Sequence, residues 1–163
     1  MATKSSPGGT PATVALAAAG VAFTTHAYDH DPAAPSYGLE AAQALGLPAD
    51  QVFKTLLAAV DGALVVAVVP VAGKLDLKAL AAAVGGKRAE MADPKAAERV
   101  TGYVVGGISP LGQKKPLPTV VDESAQLFDV VYVSGGRRGL DLGLAPDDLV
   151  ALTRATTADI SRA

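Results

Sequence analysis

The chain has 163 residues, 14 basic and 16 acidic side chains, a formal net charge of -2, two histidines, and no cysteine or tryptophan. That length fits one domain around one core, and 50% hydrophobic residues exclude disorder over the whole chain. The missing cysteine excludes a disulfide scaffold, a cysteine nucleophile, an iron–sulfur cluster and a thiolate zinc site. The charge balance argues against gripping nucleic acid by bulk charge, while leaving room for a local basic face. Only 4% of residues are aromatic, too few for a large base-stacking platform.

Residues 1–9 are polar and glycine-containing, without the apolar stretch of a signal peptide, and read as a frayed tail. Residues 10–163 read as a single domain. The longest apolar run, residues 63–71, is too short to span a bilayer, so the expected compartment is the cytoplasm, with no membrane partner.

Thr10-Pro11 opens a helix, as a capping hydroxyl followed by proline, and Gly20 ends it. Residues 23–30 alternate as a strand, and residues 31–37 form a loop with two prolines. A short helix covers residues 39–45. Residues 52–60 and 63–69 are strands joined at Asp61-Gly62, a hairpin turn signal. Asp76 caps a helix that Gly85-Gly86 stops, residues 87–91 form a strand, and Asp93-Pro94 opens another helix through Val100. Short strands follow at residues 119–122 and 130–133, then a helix over 146–152 with Asp147 and Asp148 in its first turn. The irregular interleaving favours an α/β or α+β domain with a mixed sheet over a regular doubly wound one.

Four places could carry chemistry. Lys54 shares a strand face with Val52 and Leu56, an expensive setting for an unpaired ammonium. It is either a snorkelling edge lysine or a cation that holds an anion or polarises a carbonyl. His26, Tyr28 and His30 share one side of the first predicted strand. Two histidines at that spacing could bind metal, but a third ligand is lacking, which favours structural roles. The third place runs from Val105 through Gly106, Gly107, Ile108, Ser109, Pro110, Leu111, Gly112 and Gln113 to Lys114 and Lys115. Adjacent glycines let backbone N–H groups approach an oxyanion, but the spacing is not that of a P-loop. The fourth, Ser134-Gly135-Gly136-Arg137-Arg138-Gly139-Leu140-Asp141, repeats the recipe of small residues, paired cations and an acid. Asp141 either points into a pocket or serves as a cap or ion-pair partner of Arg137 or Arg138.

Phe53-Lys54-Thr55-Leu56, the run from Thr101 to Lys115, and the run from Tyr132 to Leu140 together resemble the YbaK/EbsC family. That family is related to the editing domain of prolyl-tRNA synthetase. The likeness covers residues 10–160, and Pro116 departs from it where a basic residue often stands. It implies an α/β, YbaK-like fold: a mixed, partly barrel-like sheet surrounded by helices. It implies a deacylase acting in trans on Cys-tRNA(Pro), by ester hydrolysis or a lyase-type cleavage in which the substrate's own thiol attacks the ester. Alternatives are the same fold acting on Ala- or Ser-tRNA, or a non-catalytic aminoacyl- or nucleotide-binding module. The resemblance implies Lys54, Gly106 and Gly107 as catalytic residues. Tyr28, Tyr37, Thr55, Ile108, Ser109, Ser134, Gly135 and Asp141 are its substrate-binding residues. Lys114, Lys115, Arg137 and Arg138 are its tRNA contacts. It implies prolyl-tRNA synthetase as carrier, in keeping with the neutral charge. The poor ligand set argues against a metal, no other cofactor is expected, and the chain is expected as a monomer or homodimer.

Overall fold

A computed structural model describes residues 9–163. Residues 1–8, and with them most of the expected tail, lie outside the described residues. Helix α1 (Pro11–Ala19) begins as the sequence dictates. The Thr10 hydroxyl accepts from the Thr13 N–H, the Thr13 side chain returns the bond, and Gly20 closes the helix at φ +69°. Strand β1 (Phe23–Ala27) leads to helix α2 (Tyr37–Leu45), capped by Ser36. Strands β2 (Phe53–Val60) and β3 (Ala63–Pro70) form the expected hairpin. Asp61 (φ 49°) and Gly62 (φ 88°) are both left-handed, the twist a two-residue hairpin turn requires. The Asp61 carboxylate also accepts from the Lys87 and Arg88 N–H groups.

Strand β4 (Lys74–Leu75), helix α3 (Leu77–Ala83), strand β5 (Ala89–Met91), helix α4 (Pro94–Thr101) and strand β6 (Thr119–Asp122) follow. A 3-10 turn (Glu123–Leu127) leads into strand β7 (Val131–Arg137), strand β8 (Leu140–Leu144), helix α5 (Pro146–Thr153), strand β9 (Thr156–Ala158) and strand β10 (Ser161–Arg162). Five strands form a mixed sheet in the order β5-β2-β3-β6-β9, antiparallel through β3 and parallel beyond it. A second, antiparallel sheet runs β1-β8-β7, and β10 pairs with β4. No closed barrel forms among the described residues. No described helix is long and apolar enough to cross a membrane.

The large sheet is buried on both faces. Phe53, Leu57, Val66 and Val68 face the three-stranded sheet, where Val131, Val133, Leu142 and Leu144 meet them together with Leu16 and Leu149. Ala58, Val65, Ala67 and Val69 face α3 and Ile160. Each such fully buried Val or Leu contributes about 1.5–3 kcal/mol. The period-2 alternation of β2 therefore serves two cores, and Lys54 falls on the side of the second.

Two sequence expectations are corrected here. The first strand ends at Ala27, and the chain turns at residues 31–34, where the Ala34 N–H donates to the Asp31 carbonyl, although the Tyr28 N–H still donates to the Gly139 carbonyl. The strand expected at residues 130–133 runs further, and a second strand follows it. β7 continues through Ser134 to Arg137 past a bulge, and β8 returns from Leu140 after a two-residue turn at Arg138-Gly139.

Candidate active site

A cavity of about 370 Å³ lies where the three-stranded sheet meets the edge of β2. Its volume is at the lower end of small-molecule sites, roughly 300–1,000 Å³. β7 reaches that edge through the Tyr132 N–H, which donates to the Gln51 carbonyl at 3.2 Å. Tyr28, Tyr37, Lys54, Thr55, Gly106, Ile108, Ser134 and Asp141 all line the cavity.

Lys54 is half-buried, and its Nζ donates to the Gly73 carbonyl at 2.9 Å. No described carboxylate pairs with it. Burial, then the neighbouring Lys74, lowers its pKa from the usual lysine value. Among the described residues one of three ammonium donors is used, which leaves two for a ligand. The Gly73 anchor accounts for a lysine that β2 tolerates between apolar neighbours, and it fixes the direction of the charge.

The other wall comes from the register of the small sheet. β8 sets Asp141 opposite Ser134 on β7 and opposite His26 on β1, so these positions share one face. The opposite face carries Leu140, Leu142 and Leu144 into the core. Asp141 is 5% exposed, and no described side chain donates to its carboxylate. Burial raises its pKa to about 7. Tyr28 is pushed up to about 12, first by burial and then by Asp141, so its hydroxyl stays a donor at neutral pH. The Ser134 Oγ accepts from the Gly136 N–H at 3.2 Å.

Three anchors hold the glycine loop. The Val105 N–H donates to Glu98 Oε2 on α4 at 2.8 Å, and the Gly107 N–H donates to the Val104 carbonyl at 2.8 Å. The Arg138 Nε and Nη2 donate to the Val105 carbonyl at 3.0 and 2.6 Å. The Arg138 guanidinium also lies 4.9 Å from the centre of the Tyr37 ring. Gly106, at φ +90°, sits beneath both, since a Cβ there would come within 2.9 Å of Arg138 Nε and of the ring. No described hydrogen bond uses the Gly106 N–H.

Several expected site residues are not brought to the cavity. The Gly107 N–H is spent on Val104, and a Cβ at Gly107 would lie 2.8 Å from Arg137 Cα, so this glycine is required by packing. Ser109 is fully buried, its Oγ accepts from the Leu111 N–H, and it does not line the cavity. Gly135 packs against Leu140 on the core side, and its carbonyl accepts from the Thr10 hydroxyl. Lys114, Lys115 and Arg137 are exposed outside the cavity, and Arg138 is engaged as described. His26 Nε2 meets Thr24 Oγ1 at 2.7 Å, and His30 Nδ1 meets Glu40 Oε1 at 2.8 Å. Among the described residues no three metal-ligating side chains converge. Sequence reasoning missed Gly38, Met91, Ala92 and Pro94, which also line the cavity. Gly38 leaves space that Val71 fills, since its Cβ would lie 2.4 Å from Val71 Cγ1. Ser36, directly after Pro35, is the signal that could have moved the start of α2 to Tyr37.

The cavity thus brings together a desolvated carboxylate, a backbone-held lysine and the unused N–H of a glycine loop. Residues 31–152 match the aminoacyl-tRNA editing domain. A protein of Enterococcus faecalis named "Putative Cys-tRNA(Pro)/Cys-tRNA(Cys) deacylase EbsC" is 43% identical over 121 residues, 74% of either chain. A crystal structure of "a putative trans-editing enzyme for prolyl tRNA synthetase" aligns at TM-score 0.81 and 29% identity, over 98% of this chain and 100% of that one. The crystal structure of a hypothetical protein aligns at 0.79 and 28%, over 90% of this chain and 96% of that one. The fold and site thus define an aminoacyl-tRNA deacylase of the editing class. Within that class the chain belongs to the YbaK/EbsC family, and the fold has the YbaK-like form the sequence implied.

Proposed function

We propose that the chain acts in trans on Cys-tRNA(Pro), removing cysteine from the terminal ribose, with prolyl-tRNA synthetase as carrier in the cytoplasm. One observation carries the reading: the buried Asp141 carboxylate lacks a described cationic partner in a cavity that Lys54 also lines. A substrate α-ammonium supplies the missing charge, and a carboxylate binds it by charge-assisted hydrogen bonds. The name of the Enterococcus relative supports the cysteine preference.

The chemistry needs no protein nucleophile. The substrate thiol loses its proton, and its sulfur bonds to the ester carbonyl carbon. The bond from that carbon to the ribose oxygen breaks, and the oxygen leaves with a proton. Water then opens the cyclic thioester to free cysteine. Lys54 and the Gly106 N–H stabilise the oxyanion. Tyr28, Ser134 and Asp141 orient the amine and ribose, and Tyr37 covers the glycine loop.

The test is a deacylation panel of Cys-, Ala-, Ser- and Pro-tRNA(Pro), with and without prolyl-tRNA synthetase. Fastest turnover of the cysteinyl ester, raised by the synthetase, is the expected result. Faster turnover of the alanyl or seryl ester overturns the thiol route. Tight binding of a non-hydrolysable cysteinyl-adenosine with no ester cleaved makes the protein a binding module.

A further inference from the structure

The edge of β2 is covered at both ends and open in the middle. The Val71 N–H donates to the Val52 carbonyl at 2.8 Å, so Val52 points its main chain toward β3. The Ala92 N–H donates to the Leu57 carbonyl at 3.0 Å, so Leu57 points the other way. Main-chain direction alternates along an antiparallel strand, and Thr55 therefore points its N–H and C=O to the same side as Leu57. β7 reaches this edge only beside Val52, where the Tyr132 N–H donates to the Gln51 carbonyl, and β5 pairs only with Ala58–Val60. Neither reaches Thr55. Its side chain is in the same condition, since the Thr55 Oγ1 is buried with no hydrogen-bond partner among the described residues. Thr55 lines the cavity, and so do Met91, Ala92 and Pro94 on one segment and Val105 and Ile108 on another. A main-chain donor and acceptor, side by side within apolar surface, need partners.

We propose that this open edge at Thr55 reads the base of the substrate's terminal adenosine. The inference rests on the deacylase reading above and locates the base within that site. Adenine presents an acceptor, N7, beside a donor, the 6-amino group. The N–H and C=O of one extended residue match that pair, and guanine, with acceptors at both places, does not fit. The flat apolar ring suits the surface of Met91, Pro94 and Ile108. Asp141 and Tyr28 lie toward the β7 end of the edge, which leaves the aminoacyl group there and the base at the β5 end. Met91 is 51% exposed and marks where the strand of tRNA would leave.

The experiment titrates isotopically labelled protein with a non-hydrolysable 3′-cysteinylamino-adenosine and follows the backbone amides by NMR. Two further probes carry purine, without the 6-amino group, and 7-deaza-adenine, without N7. The Thr55 amide should shift on binding the adenosine probe, and each base change should weaken binding about tenfold. Equal affinity for all three probes, or a Thr55 amide that does not move, overturns the inference. Thr55→Val should weaken binding about threefold and keep the base discrimination, because the main chain does the reading. Loss of discrimination in that variant overturns the main-chain assignment. The two readings fail separately. Ester cleavage with indifferent base binding removes the adenine site alone. Base-selective binding with no ester cleaved removes the deacylase reading alone.

Discussion

Gly106 and Gly107 lie in a loop after α4, and Gly135 and Gly136 lie at the end of β7. Both pairs follow a small or apolar stretch and precede paired cations. The first pair divides its labour. Gly106 leaves an N–H unused beneath Tyr37 and Arg138, while Gly107 closes a turn and lets Arg137 pass. The second pair serves packing and internal bonds: Gly135 admits Leu140 and accepts from the Thr10 hydroxyl, and Gly136, at φ +104°, admits Tyr103 and Thr10 and donates its N–H to Ser134 Oγ. What the second segment gives the cavity comes from its non-glycine residues, Ser134 and its partner across the ladder, Asp141. A glycine pair thus becomes a candidate anion cradle only where an N–H is left over after the turn and the packing are satisfied.

The largest effect that sharpens this contrast is expected at Asp141. Asp141→Asn should lower deacylation by about 100-fold or more, the scale of losing one charge-stabilising group, read as kcat/KM on Cys-tRNA(Pro). The same variant should be more stable. The folded-state pKa is raised from 3.8 to about 7, so ionising the buried group opposes folding. That cost is absent below about pH 4, grows as the pH rises, and is complete above about pH 7. The gain of the asparagine variant should follow the same course and reach up to about 4 kcal/mol, from about three pKa units at about 1.4 kcal/mol each. Thermal melts from pH 4 to pH 8 measure it, and a gain independent of pH would contradict the buried-carboxylate account. Lys54→Met should cost activity about 100-fold in kcat with the melting temperature nearly kept. A wild-type rate in that variant would remove Lys54 from the mechanism.

The glycines separate next. Gly107→Ala meets backbone and should destabilise the fold by about 1–3 kcal/mol, read by urea unfolding. Gly106→Ala meets the Tyr37 ring and Arg138 and also strains a positive φ, so it should lower kcat/KM about tenfold with a smaller loss of stability. The reverse ranking would exchange the roles given to the two glycines. The smallest effect is expected at Lys115, exposed and outside the cavity. Lys115→Ala should change the KM for charged tRNA by about twofold at low salt and less at high salt.

Much of this was legible in the sequence where local chemistry decides. Thr10-Pro11, Asp61-Gly62 and Asp93-Pro94 each specify a cap or a turn within a few residues, and each element starts where they place it. Lys54, Tyr28 and Asp141 were nameable because their types and neighbours, and the family likeness, marked them. What stayed hidden depends on partners distant in the chain. β4, β9 and β10 are two or three residues long and exist only through pairing. β8 was hidden because Gly139 and the bulge after Ser134 read as a loop, although both serve a hairpin. Spacing alone sets His30 in one row with His26, whereas in the structure its ring bonds to Glu40, ten residues on. Arg138 is expected among the tRNA contacts, yet its two hydrogen bonds go to Val105, 33 positions back in the chain.

The pairing of β10 with β4 reaches further than its two residues suggest. Ser161 and Arg162 lie alongside Leu75 and Lys74, and a Cβ at Gly73 would meet the Arg162 carbonyl at 2.8 Å. Gly73 is the residue whose carbonyl orients the Lys54 ammonium. The end of the described chain is therefore mechanically in series with the cavity. A substitution that loosens the β10–β4 pair should reach the Lys54 ammonium through Gly73 without touching the cavity lining.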